Sequence, residues 1–137
     1  MNVTEYCVAD PAAVPLTATV AEAIQAMLDR HMGASAVVDE NGVVAGIFTE
    51  RDVMSKVALS GRSPDTLPVR EVMTTPVIMA TRQTGIAEAL QTMIELRHRH
   101  LPVVEDDGRL IGILSIRHVL ERKVDELTRQ LQESIHA

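Results

Sequence analysis

The stretch Gly46-Ile47-Phe48-Thr49-Glu50-Arg51-Asp52 returns 66 positions later as Gly112-Ile113-Leu114-Ser115-Ile116-Arg117-His118. The same offset, applied without a gap, aligns Val3 with Val69, Glu5 with Glu71, Ala21-Glu22-Ala23 with Ala87-Glu88-Ala89, and Met27 with Met93. It also aligns Val37-Val38 with Val103-Val104, Gly42 with Gly108, and Val53 with Val119. One structural plan is therefore written twice. The copies differ at one chemically important place, since the first heptapeptide ends in a carboxylate and the second in an imidazole.

Each copy carries the same local signals. Val20, Ala23, Ile24, Met27 and Leu28 fall at helical spacing, and Ile86, Ala89, Leu90, Met93 and Ile94 repeat it, which predicts two amphipathic helices. Thr19 and Glu22 form a capping box at the first start, with Thr84 or Gly85 at the second. Apolar runs at Ala36-Val37-Val38 and Val43 to Phe48 flank Asp39-Glu40-Asn41-Gly42; Pro102-Val103-Val104 and Leu110 to Leu114 flank Glu105-Asp106-Asp107-Gly108. Both sets predict hairpins, each followed by a helix starting at Thr49 or Ser115.

The unit is thus β-α-β-β-α, and the expected fold is mixed α/β. Two such repeats pack sheet to sheet about a pseudo-twofold axis, with an extended C-terminal helix after them. The expected boundaries are 1–58 for the first repeat, 59–68 for a linker, 69–122 for the second repeat and 123–137 for the extension. Leu120, Val124, Leu127, Leu131 and Ile135 recur every three or four residues in that extension, a stripe that suits either its own repeat or a second copy.

With 137 residues, 46% of them hydrophobic, the chain can bury one core. Its net charge of −6 argues against general affinity for nucleic acid or membrane surfaces. A lone cysteine, Cys7, excludes an internal disulfide and reads as a small buried hydrophobe. No apolar run nears the ~20 residues of a membrane span, and the start has no export signal, so a cytoplasmic location is expected. One Phe, one Tyr and no Trp leave little for stacking nucleic-acid bases.

Thr49 and Asp52 read first as a helix cap with an acid at the positive helix end. Capping leaves unexplained the glycines at 46 and 112, which suggest close approach to a ligand. An exposed carboxylate at Asp52 could accept hydrogen bonds from a vicinal diol; His118 could not do so as an anion. The second copy instead has Arg97-His98-Arg99-His100 before its hairpin, where the first has His31-Met32-Gly33-Ala34. These cations suit phosphate, though they also suit a solvated basic edge or, through histidine, a metal.

Taken together, the doubled unit, its hydrophobic-Gly-hydrophobic-x-Ser/Thr-x-x-Asp motif and Val72-Met73-Thr74-Thr75-Pro76-Val77 resemble a tandem pair of cystathionine-β-synthase (CBS) domains. The resemblance implies an adenosine nucleotide, AMP, ADP or ATP, bound without chemistry in a cleft between repeats. It implies a ligand-binding set of Ile47, Thr49, Asp52, Val77, Arg99, His100, Leu101 and Pro102. Asp52 would clasp the ribose, Arg99 and His100 would face the phosphates, and the apolar residues would line the adenine slot. A second, weaker cleft would be formed by Ser115, His118, Gly33 and Ala34, lacking both the acid and the phosphate cations. Expected partners are the nucleotide, a second copy in a homodimer and a regulated protein that the sequence does not identify. No catalytic triad, phosphate loop or metal triad is visible, so no enzyme activity is expected. The alternatives are a structural dimerisation module with vestigial clefts and a His-based metal sensor.

Overall fold

The computed structural model describes residues 2–136; Met1 and Ala137, the outer limits of the expected segments, lie outside the described residues. Strands β1 (Ala13–Pro15), β2 (Ala34–Val38) and β3 (Val44–Thr49) form one sheet in that order, with β1 parallel and β3 antiparallel to β2. Helix α1 (Val20–Asp29) makes the crossover. Helix α2 begins at Glu50–Asp52 and widens into a π-helical turn at Val53–Val57. The second repeat copies this with β4 (Ala80–Thr81), α3 (Ile86–Leu96), β5 (His100–Val104), β6 (Leu110–Ser115) and α4 (Ile116–His136).

Local chemistry explains the element ends. Thr19 and Glu22 form the reciprocal capping box of α1, whereas Gly85 precedes α3 with no side-chain cap. Gly42 and Gly108 hold φ of 80° and 89° in the two hairpin turns. The duplication is imperfect where proline intervenes. In β2 the Ala36 N–H donates to the Ala12 carbonyl at 3.0 Å. Its counterpart Pro102 has no N–H to donate, and β4 is one residue shorter than β1.

The repeats exchange their leading segments. Val8 bonds both ways with Ile113 on the edge of β6, at 2.8 and 3.1 Å, and the matched Thr74 does so with Ile47 on β3, at 2.7 and 3.1 Å. Further out, Val3 N–H reaches Thr84 O at 3.2 Å and Val69 N–H reaches Ala18 O at 2.9 Å. Val3 and Tyr6 consequently lie in the second core with Met93, Leu101 and Leu114. Leu67 and Val69 lie in the first core with Met27 and Phe48. Each buried aliphatic side chain is worth about 1.5–3 kcal/mol, so each repeat draws a substantial part of its core from the other's sequence. The hairpin turns close the axis, with Val44 N–H donating to Gly108 O and Leu110 N–H to Gly42 O at 3.0 and 3.1 Å.

This exchange corrects the expectation for Gly46 and Gly112. The close approach they permit is to the chain itself. A Cβ at 112 would stand 2.5 Å from the Val8 carbonyl oxygen and 2.8 Å from Cys7 Sγ, while one at 46 would strike the flexible side chain of Met73. Gly112→Ala should therefore destabilise by about 1–3 kcal/mol and Gly46→Ala by less. Urea unfolding of the two variants measures the difference.

Candidate functional site

Thr49 ends β3 and caps α2, and Asp52 sits on the first turn with its N–H donating to Thr49 Oγ1 at 3.3 Å. The Asp52 carboxylate accepts from Thr49 N–H at 3.0 Å and from Thr49 Oγ1 at 3.2 Å. Thr74, carried in on the exchanged segment, donates its hydroxyl to both carboxylate oxygens at 3.1 and 3.3 Å. Lys56, one turn along α2, places Nζ 3.0 Å from Asp52 Oδ1 and 3.1 Å from the Val72 carbonyl. The expectation of an exposed carboxylate is thus corrected. Asp52 is only 4% exposed, and its charge is met by a lysine and two threonines.

These groups edge a cleft of about 630 Å³ between the repeats. From the expected binding set, Ile47, Thr49 and Asp52 of the first repeat and Arg99 and His100 of the second line it together. Val77, Leu101 and Pro102 do not. Leu101 is 2% exposed and belongs to the second core, Pro102 is buried in β5, and Val77 is half-buried before β4. Arg51, Lys56, Thr74 and Arg97 also reach the cleft. Lys56 could have been found from its i,i+4 spacing to Asp52; Thr74 depends on the exchange.

A second cleft of about 610 Å³ lies beside the first. Ser115, His118 and Gly33 line it, whereas Ala34 is fully buried in β2. The expectation that this cleft lacks cations is overturned, because Arg30, Arg99 and Arg117 all face it. They come from the end of α1, the approach to β5 and the start of α4, which share no local motif.

Gly33, Glu50, Arg99 and His100 border both clefts and form a common wall. A Cβ at Gly33 would meet the end of the flexible Glu50 side chain and approach His100 Cε1 to 3.2 Å, so the wall is tightly packed at this point. Burial pushes the His100 imidazole below its usual value; Glu50 works in the opposite sense, while Arg99 and Arg117 reinforce the depression. Among the described residues, no group of three or more His, Cys, Asp or Glu is placed to hold a metal ion, so the metal-sensor alternative gains no ligand set. Among the described residues, no helix is long and apolar enough to cross a membrane.

Because the folded value of His100 lies below the unfolded one, the unfolded chain binds the extra proton more readily. This contribution favours folding least at low pH and is relieved as pH rises through about 6.5. The melting temperature should fall as pH is lowered below that point, and His100→Gln should make the fall shallower. Thermal melts across pH test both.

The CBS domain family matches residues 3–59 and 69–125. CBS domain-containing protein CBSX3, mitochondrial, from Arabidopsis thaliana is 38% identical over 118 residues, covering 83% of this chain and 57% of that protein. The chain spans about two thirds or less of the first curated relatives it matches, the others being uncharacterized proteins of Methanopyrus kandleri and Acidianus ambivalens. An uncharacterized conserved protein from Pyrococcus horikoshii superposes with a TM-score of 0.79 at 30% identity, covering 89% of this chain and 91% of its own. CBSX2, crystallised in complex with AMP, shares the fold at 22% identity with a TM-score of 0.76, over 90% of this chain and 96% of its own. Duplicated units, exchanged leaders and matching structures lead to one assignment: the chain belongs to the CBS domain family, as a tandem pair.

Proposed function

We propose that this CBS pair is a regulatory, non-catalytic module that binds an adenosine nucleotide in the first cleft and signals occupancy to a partner protein. One observation carries the reading. A buried carboxylate at Asp52 from the first repeat and the Arg99 guanidinium from the second face the same cleft. A ribose diol needs an acceptor and phosphates need cations, and here the two come from opposite sides of a pseudo-twofold interface. The AMP complex of CBSX2, built on the same fold, supports a nucleotide as the ligand class. In this reading the diol takes over carboxylate lone pairs that Thr74 now occupies, and Lys56 remains beside the charge. Coupling to a partner requires the bound and free states to differ in free energy.

The fully engaged state of Asp52 also favours a second reading, a dimerisation module with vestigial clefts, since its carboxylate needs no ligand to be satisfied. Calorimetric titration with AMP, ADP and ATP separates the two. The nucleotide reading expects one site per chain. Asp52→Ala and Arg99→Ala should each weaken binding about ten- to a hundredfold, the effect of losing a charged partner worth ~1.5–3 kcal/mol. Unchanged affinity in both variants would refute the assignment.

The homodimer is proposed through α4, where Leu120, Val124, Leu127 and Leu131 are between 58% and 64% exposed along one stripe. Leu127→Glu should convert a dimer into a monomer in sedimentation equilibrium at micromolar concentration. A wild-type monomer would exclude this contact.

A further inference from the structure

The offset of 66 that relates the repeats also relates two contacts made by cations. Lys56 on α2 corresponds to Arg122 on α4, and Val72 in the second leading segment corresponds to Tyr6 in the first. Lys56 Nζ donates to the Val72 carbonyl at 3.1 Å, and the Arg122 guanidinium carbon lies 4.8 Å from the centre of the Tyr6 ring. Each repeat thus grips the other's leader with a cation at the same position. The chemistry of the two grips differs because of the residue one turn earlier. Lys56 has the Asp52 carboxylate at 3.0 Å, whereas the place matched to Asp52 before Arg122 holds His118. With no acid there, the negative face of an aromatic ring supplies the attraction.

Lys123 adds a second cation to the ring. Its Nζ stands 5.1 Å from the ring centre and 3.5 Å from Glu126 Oε2. Its ammonium is held above its ordinary value, chiefly by hydrogen bonding to the Tyr6 side chain. Tyr6 itself is 1% exposed and packs in the second core with Val119 and Ile116. Along α4 only Val119 is buried; Arg122, Lys123 and Glu126 are the last residues that are even partly so, and 127–136 are all exposed. The ring therefore meets α4 where the helix leaves the body. At about 1.5 Å per residue the exposed stretch is a lever of roughly 15 Å, and its direction is set by whatever fixes its base.

We infer that Tyr6, Arg122 and Lys123 form a latch that fixes the projecting half of α4 to the first repeat's leader, so that leader and helix are held or released together. None of the three residues lines either cleft, so the latch stands whether or not a nucleotide binds. Cation–π contacts at partly exposed sites are weak, which lets the latch open while both sheets stay folded. Whatever draws the leader off β6 frees α4 with its apolar stripe, and whatever seats on α4 steadies the leader in return.

Hydrogen exchange of the full chain, read by mass spectrometry, tests the latch. Arg122→Gln combined with Lys123→Gln, both at partly exposed positions, should speed exchange of residues 3–8 and 116–127 together by about tenfold and leave β2 and β3 unchanged. Arg129→Gln removes a charge beyond the latch and should alter neither segment. Tyr6→Phe keeps the ring and should stay nearer the parent than Tyr6→Leu, which keeps apolar bulk alone. From the other end, Val8→Pro deletes the N–H that bonds Ile113 and should speed exchange in 116–127. Repeating the double glutamine variant in a Leu127→Glu background removes any second copy and should give the same ratio. The inference is overturned if the double variant exchanges like the parent, if α4 loosens without the leader, if β2 and β3 accelerate equally, or if Tyr6→Phe and Tyr6→Leu lose the same protection. Should Val8→Pro fail to fold, the double variant still decides.

Discussion

Two pairs of backbone hydrogen bonds organise the molecule, Val8 with Ile113 and Thr74 with Ile47. They stitch the leading segment of each repeat onto the outer strand of the other's sheet. With those pairings come Val3 and Tyr6 for one core and Leu67 and Val69 for the other. The interface between repeats is therefore continuous with both cores. The same segments that fill the cores also reach the clefts, through Thr74 in the first and Val8 in the second.

Thr74 illustrates the link from folding to chemistry. It is delivered by the exchange, and its hydroxyl reaches across to a carboxylate of the opposite repeat. Lys56 does the same from within the first repeat, spanning Asp52 and the Val72 carbonyl. The widened π turn of Val53–Val57 follows directly after Asp52 and contains this lysine, and such turns occur often at functional sites. A buried acid is tolerable because both sides of the interface contribute donors to it.

Much of this was legible in the chain alone. The constant offset revealed two units, and alternating or helical apolar spacing revealed their elements, because those patterns depend on neighbours within a few residues. The meeting of Asp52 with Arg99 and His100 in one cleft was also readable, through resemblance. The exchange of leaders was not, since nothing local in Tyr6-Cys7-Val8 announces a strand edge more than a hundred residues away. Of the residues expected in the adenine slot, Ile47 lines the observed cleft, whereas Leu101 and Pro102 border the right segment but are buried in β5. Arg30 and Arg117 escaped notice as a pair because only the folded chain brings the last turn of α1 to the first turn of α4.

The partition formed by Gly33, Glu50, Arg99 and His100 belongs to both chambers at once. Any occupant that reorients Arg99 or changes the charge on His100 alters the neighbouring chamber too, and linkage requires the influence to be equal in both directions. A side chain in that partition cannot be repositioned for one chamber without being repositioned for the other.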